Sequence, residues 1–246
     1  MGNENKCVAI VLAAGQGKRM HSDVPKQYLL IREKPVLYYS LKTFQDSPID
    51  RIILVTSEND IDYCRQCIVE RYGFDKVTDI VAGGKERYHS VYEGIKAAGA
   101  CDYLFIHDGA RPFVTKEILD RAYRCVTEYD ACVIGMPVKD TVKIADENGF
   151  AASTPKRDLV WMIQTPQVFS YQLIKDAYTL LIEKENQILS QGIRITDDAM
   201  VVEAFTDKKV KLVEGSYENI KITTPEDLKI AESFEQCKGQ EKNCKK

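Results

Sequence analysis

The run Val8-Ala9-Ile10-Val11-Leu12-Ala13-Ala14-Gly15-Gln16-Gly17-Lys18-Arg19-Met20, with Pro25-Lys26-Gln27 close behind it, decides how this 246-residue chain is read. An apolar stretch of strand length breaks into small residues and glycines, where successive backbone N–H groups can turn to one side and approach a ligand. Arg19 and Lys26 follow and supply the positive charge that a polyphosphate needs. Two better-known glycine loops are excluded. A dinucleotide fingerprint needs a third glycine where Met20 stands, and a Walker loop needs Ser or Thr after Gly17-Lys18, where Arg19 stands. Taken alone, the loop reads equally as a strand-to-helix turn with charged flanks; the two cations tilt it towards phosphate chemistry.

Outward from this loop, short β-branched runs alternate with amphipathic ones. Strands are expected over 8–13, 51–56, 78–81, 103–107 and 131–137, and helices over 35–45, 60–72, 90–98 and 116–128. In the last of these helices Ile118, Leu119, Ala122 and Val126 share one face. Such alternation predicts an α/β fold, a doubly wound and mostly parallel sheet with ligands at the carboxyl ends of its strands. The first glycine loop, Gly83-Gly84 and His107-Asp108 all fall at such ends. After Pro137 the rhythm changes: a strand over 141–144, a turn over 146–149 and a return over 150–153 read as a polar β-hairpin arm, spanning about 138–158. A hairpin with so little apolar surface needs something to lie against, and a partner subunit is the natural candidate. The core resumes over 160–169, with helices over 173–185 and 197–204 and a strand over 210–213. A final helix opens at Thr224-Pro225-Glu226-Asp227, with Thr224 as N-cap. Residues 1–236 read as a single domain and 237–246 as a polar tail.

A net charge of −3 and a 44% hydrophobic, 29% charged composition describe a globular protein without bulk attraction to nucleic acid or anionic membranes. No apolar run reaches the length of a membrane span, and no signal-peptide core precedes the first strand, so a cytoplasmic protein is expected. Among the eight cysteines, Cys64 and Cys67 form a CxxC inside a helical stretch, without the second ligand pair that zinc requires. Cys237 and Cys244 fall in or near the polar tail and suggest no chemistry.

Asp108 ends an apolar strand, where a carboxylate either caps the next turn and pairs with Arg111 or holds Mg²⁺ against triphosphate oxygens. His107 reads as a packed histidine rather than a base. Gly83-Gly84 leads to a helix starting near Ser90; its backbone can read a base edge, or Ser90 can simply cap the helix. Lys221, alternating out of an apolar run, is an exposed strand lysine or a phosphate ligand.

Taken together, Leu12-Ala13-Ala14-Gly15-Gln16-Gly17-Lys18-Arg19-Met20, Pro25-Lys26-Gln27-Tyr28, Gly83-Gly84…Arg87…Ser90-Val91 and His107-Asp108-Gly109-Ala110-Arg111-Pro112 occur in order. Asp140-Thr141-Val142-Lys143, Gln164-Thr165-Pro166-Gln167-Val168-Phe169, Thr196-Asp197-Asp198-Ala199 and Asn219-Ile220-Lys221-Ile222-Thr223-Thr224-Pro225-Glu226-Asp227-Leu228 follow. From about Cys7 to Phe234 the chain resembles the 2-C-methyl-D-erythritol 4-phosphate cytidylyltransferases of the non-mevalonate isoprenoid pathway. The resemblance implies a homodimeric, Rossmann-like nucleotidyltransferase that joins CTP and methylerythritol phosphate, with Mg²⁺, to give the cytidyl diphosphate product and pyrophosphate. It puts Ala13, Ala14, Gly15, Gly84 and Ser90 around the cytidine and wraps the glycine loop, Gly17 included, about the triphosphate. It makes Arg19, Lys26 and Lys221 the catalytic cations and Asp108 the metal carboxylate. Thr141 and Arg157 would reach the sugar phosphate from the partner's hairpin.

The rival reading is a ribitol 5-phosphate cytidylyltransferase, which has a similar glycine loop; Thr196-Asp197-Asp198-Ala199 with Glu203, and Trp161 before Gln164, favour the erythritol family. A non-catalytic nucleotide-binding protein on the same fold would lack one of Arg19, Lys26, Asp108 or Lys221, and all four are present. Two departures stand out. Lys85 sits where a small acidic residue is common, and Gly109 where alanine is common, an exchange expected to leave Asp108 undisturbed.

Overall fold

The structure, a computed structural model, describes residues 5–15, 17–20, 22 and 24–244; Gln16 of the glycine loop and the end of the polar tail lie outside it, as do the side chains of Lys18, Cys237 and Cys244. Strand β1 (Cys7–Ala13) leads through 3₁₀ turns at Lys18–Met20 and Lys26–Tyr28 to a short ribbon, β2 (Leu30–Ile31) with β3 (Lys34–Pro35), and to helix α1 (Val36–Gln45). Next come β4 (Arg51–Thr56), α2 (Ile61–Tyr63) running on into a π-helical stretch over Cys64–Glu70, β5 (Val77–Ala82) and α3 (Arg87–Ala98). Then β6 (Tyr103–Asp108), α4 (Lys116–Tyr129) and β7 (Ala131–Pro137) complete the alternation. A hairpin of β8 (Ile144–Ala145) and β9 (Ala151–Ser153) precedes β10 (Trp161–Ser170), α5 (Tyr171–Glu183), α6 (Glu185–Ser190) and α7 (Asp198–Phe205). Last are β11 (Lys211–Glu214) and α8 (Pro225–Cys244).

Seven strands form one sheet in the order β11-β7-β10-β6-β1-β4-β5. Only β10 runs against its neighbours, pairing antiparallel with β6 and β7 while every other pair is parallel. Strand β1 shows why helices cover both faces. Its Cys7, Ala9, Val11 and Ala13 pack with Leu37, Leu41 and Phe44 of α1 and with Ile118 and Ala122 of α4. The alternate residues Val8 and Ile10 pack with Val91 and Ile95 of α3 and with Ile174 and Tyr178 of α5. Period-2 apolar alternation on a strand buried on both sides is the physical origin of the doubly wound arrangement. Among the described residues no helix is long and apolar enough to cross a membrane.

Three local expectations change. The helix expected over 60–72 is mostly π-helical, with Cys64 and Ile68 as the buried residues of that stretch. Helix α3 starts at Arg87 rather than near Ser90, because Glu86 is its N-cap in a reciprocal capping box with His89. Ser90 therefore caps nothing; its hydroxyl accepts the Gly84 N–H at 3.1 Å. Gly109 is not freely exchangeable with alanine, since a Cβ there would lie 2.9 Å from the Leu12 carbonyl oxygen and 2.8 Å from Leu37 Cδ1. Leu37 can move, but the Leu12 carbonyl is backbone and already accepts the Gly109 N–H at 2.8 Å. Gly109→Ala is expected to destabilise the protein by about 1–3 kcal/mol. Urea unfolding checks this, and an unchanged midpoint would show that the β1 end yields at no cost.

The arm is shorter in strand than expected but lies where the sequence places it. Asp146 Oδ1 accepts the N–H groups of Asn148 and Phe150 and closes its turn. Phe150 and Leu159 remain 72% and 77% exposed, and Ile144 and Met162 are exposed as well.

Candidate active site

Segments at the carboxyl ends of β1, β4, β5 and β6, the β4 end through Ser57 and Glu58, enclose a cavity of about 770 Å³ together with the turns that carry Lys26 and Lys221. Ala13, Ala14, Gly15 and Gly17 line it from the first loop, Gly83, Gly84 and Ser90 from the second, Asp108 from the third, and Lys26 and Lys221 from their turns. The two glycine loops touch: a Cβ on Gly83 would come within 2.6 Å of both Ala14 Cβ and Ser90 Oγ. This abutment requires Gly83 and leaves backbone, not side chain, facing the cavity.

The charged wall is built from four elements. Asp108 ends β6 with its carboxylate buried. Lys221 Nζ lies 2.7 Å from Asp108 Oδ2, and Arg87 Nε lies 3.3 Å from Asp108 Oδ1. Burial opposes charge on Asp108, but Arg87, Lys221 and Arg111 overcome it and hold the carboxyl well below the usual carboxylate range. The pairing with Arg111 considered from sequence does not occur. Arg111 closes the turn through its backbone N–H on the Asp108 carbonyl, while its guanidinium donates to the carbonyls of Asn219 and Ile163.

Lys26 is brought in by its 3₁₀ turn. Gln27 Nε2 donates to the Ala13 carbonyl at 2.6 Å, Tyr28 hydroxyl lies 2.9 Å from Thr56 Oγ1, and Lys26 Nζ itself donates to the Ile222 carbonyl at 3.0 Å. Burial first, and then the charge of Lys221, lower the Lys26 ammonium to about 8 against the opposing pull of Asp108. Lys221 is positioned by the Ile222 N–H on the Ala110 carbonyl. Arg19 is exposed beside the cavity, rather than lining it, and acts on Lys26 through space. Thr141 and Arg157 do not reach this cavity at all; both are exposed on the arm, and Arg157 donates to the Lys139 carbonyl at its root.

Beneath the cavity lies a buried polar relay. The Asp108 N–H donates to Thr165 Oγ1, that hydroxyl faces His107 Nδ1 at 3.0 Å, and His107 Nε2 lies 3.2 Å from the Arg111 carbonyl. The single consistent direction has Thr165 donating to Nδ1 and His107 donating from Nε2, so a neutral imidazole satisfies every group. Burial pushes His107 down to about 4 from an ordinary value near 6.5. Below pH 6.5 the unfolded chain takes up a proton that native His107 refuses, so stability falls as pH drops towards 4, by roughly 3 kcal/mol in all. Urea midpoints between pH 7 and pH 4 test this; an equal decline in His107→Gln would assign the loss to other groups.

Arg87, Thr165 and Asn219 were given no role from sequence. Arg87 and Asn219 stand inside the quoted motifs, and for Thr165 the signal was polar residues inside an apolar strand, Gln164-Thr165-Pro166-Gln167. Each of its three polar side chains is buried and ties a different loop to the site. Gln164 holds the Ser216 carbonyl and the Asn219 amide, Thr165 the Asp108 backbone, and Gln167 the start of α7.

Chemically the cavity can hold a polyanion between backbone N–H groups and cations, beside one ionised carboxylate. Among the described residues no group of three or more His, Cys, Asp or Glu could hold a metal ion. Asp108 alone nevertheless fits a hard divalent cation shared with phosphates, since Mg²⁺ uses one or two carboxylates plus phosphate oxygens.

The chain is similar to known proteins over most of its length. The family profile for 2-C-methyl-D-erythritol 4-phosphate cytidylyltransferase (IspD) matches residues 7–236. Proteins of that name from Lachnospira eligens and Lachnoclostridium phytofermentans are 51% and 49% identical, over 92% and 93% of this chain and 97% and 96% of theirs. The crystal structure of 4-diphosphocytidyl-2C-methyl-D-erythritol synthase from Anaerococcus prevotii is similar, with a TM-score of 0.80 at 36% identity, covering 94% of this chain and 96% of that one.

Proposed function

Because the chain belongs to the 2-C-methyl-D-erythritol 4-phosphate cytidylyltransferase family of the non-mevalonate pathway, we propose that its cavity binds CTP and that its charged wall carries the transfer. The enzyme is a nucleotidyltransferase, and its family uses a divalent cation with CTP. The observation that carries the residue assignment is the convergence of Lys26, Lys221 and Asp108 on one cavity floored by the glycine loop.

In this reading, backbone around Ala13, Ala14, Gly15, Gly84 and the Ser90 hydroxyl holds the cytidine, and Gly17 lets the loop follow the triphosphate. The attacking phosphate of methylerythritol phosphate is already anionic at neutral pH, so no strong base is required. The barrier is the approach of two anions, and fixed cations lower it. Lys26 and Lys221 are preorganised for that task, and Arg19 joins them from the rim. Asp108 would hold Mg²⁺, which supplies charge neutralisation on the phosphates when bound. Lys221 now bridges to Asp108, so it is already held at the place where charge must develop.

Thr141 and Arg157 would serve the sugar phosphate of the partner's site. A homodimer is supported by the exposed apolar side chains of the arm, a set that monomers seldom leave uncovered. Free thiols at Cys7, Cys64 and Cys132 support a cytoplasmic, reducing setting.

The test is pyrophosphate release from CTP and Mg²⁺, with methylerythritol 4-phosphate and ribitol 5-phosphate offered in parallel. Release with the erythritol phosphate alone is expected; release with ribitol phosphate alone would overturn the acceptor.

A further inference from the structure

Arg87 stands at the first position of α3 and faces two carboxylates. Its Nη1 lies 2.7 Å from Asp198 Oδ1 and its Nη2 donates to Asp198 Oδ2 at 2.8 Å, leaving only Nε for Asp108, at 3.3 Å. Asp198 is fully buried at the start of α7 and also accepts the Tyr178 hydroxyl on Oδ1. Its position is set by the backbone: the N–H groups of Asp198 and Ala199 both donate to Gln167 Oε1, at 2.9 and 2.8 Å, and Gln167 Nε2 donates to Asp197 Oδ2. Asp198 itself does not line the cavity, whereas Arg87 and Asp108 do.

The guanidinium fork matches one carboxylate with two parallel N–H bonds, and that pairing is stronger than a single contact. A free Arg87 beside Asp108 would close on it in this way, and a cation would then have to displace the pair. Here the fork is spent on Asp198, and Asp108 receives from Arg87 one long contact on Oδ1, beside the Lys221 ammonium 2.7 Å from Oδ2.

We propose that Asp198 is a positioning residue for the reaction: by engaging both terminal nitrogens of Arg87 it withholds that guanidinium from Asp108 and keeps the Asp108 carboxylate available to a divalent cation. The inference rests on Asp108 being the metal carboxylate. It assigns the buried Tyr178–Asp198–Arg87 chain a task beyond folding, and it predicts opposite results for removing one charge or both.

Mn²⁺ binding is measured by electron paramagnetic resonance with CTP present and no sugar phosphate, so that nothing turns over. Asp198→Asn frees the Arg87 fork for Asp108 and is expected to weaken Mn²⁺ binding about tenfold, within the range of coupling between touching charges. The double variant Arg87→Gln with Asp198→Asn removes both charges and is expected to bind Mn²⁺ as tightly as the wild type or more tightly. A purely structural pair would leave the double variant as weak as the single one, and that result, or unchanged binding in Asp198→Asn, overturns the proposal. If Asp198→Asn does not fold, the charge-neutral double variant decides alone: wild-type or tighter binding supports the proposal and tenfold weaker binding overturns it. Asp108→Asn separates the two readings, because unchanged Mn²⁺ binding there overturns the metal assignment itself, and this inference with it.

Discussion

Lys26→Ala is expected to fold normally and to lose turnover by about two or more orders of magnitude, equivalent to roughly 3 kcal/mol of transition-state stabilisation. The size follows from position. Lys26 is half-buried and fixed to the Ile222 carbonyl, so its charge works at low dielectric and needs no reorganisation when charge develops. The same residue sets a pH limit. With burial and Lys221 lowering its ammonium to about 8, the free enzyme loses this charge as pH rises above 8. Accordingly kcat/KM is expected to fall on that side, about tenfold per unit. CTP binding restores the proton, so the limb in kcat moves to higher pH. Calorimetry in buffers of different ionisation enthalpy should register proton uptake on CTP binding above pH 8. Near-normal turnover in a folded Lys26→Ala, or pH profiles of kcat and kcat/KM that coincide, would remove Lys26 from the chemistry. Arg19→Ala shares the direction of the effect.

Asp108→Asn is the second large effect, about two to three orders of magnitude in turnover. Its carboxylate is the negative group on which Arg87, Lys221 and, through space, Lys26 converge. An amide keeps the shape and the backbone hydrogen bond to Thr165 while removing the charge. Loss of turnover that excess Mg²⁺ does not restore, in a variant with a wild-type melting temperature, is the expected result. Recovery of full activity at high Mg²⁺ would mean that Asp108 tunes metal affinity without being needed for the transfer.

The sequence pointed to both residues because Asp108 ends an apolar strand and Lys26 follows the glycine loop after another, and α/β alternation aims the carboxyl ends of such strands at one crevice. Of the two readings open for Ser90, a contact in the crevice and an N-cap, the N-cap fails: Glu86 and His89 form the capping box and leave Ser90 lining the cavity as the acceptor for the Gly84 N–H. The tight fit around Gly109 was not legible in sequence, since the closeness of Leu12 to it exists only once β1 and β6 are paired.

Periodicity and loop composition, which are local, pointed to the doubly wound sheet and its crevice, and to Arg19 and Lys26 as phosphate cations; Lys221 and Asp108 took their roles from the family resemblance. Tertiary structure decided which ions face each other. Arg87 meets Asp198 across 111 positions and Lys221 meets Asp108 across more than a hundred, and nothing in either neighbourhood encodes the other. Charge pairing depends on distances of a few ångströms and on burial, and both are set only when helices and loops from distant parts of the chain pack on the same sheet edge.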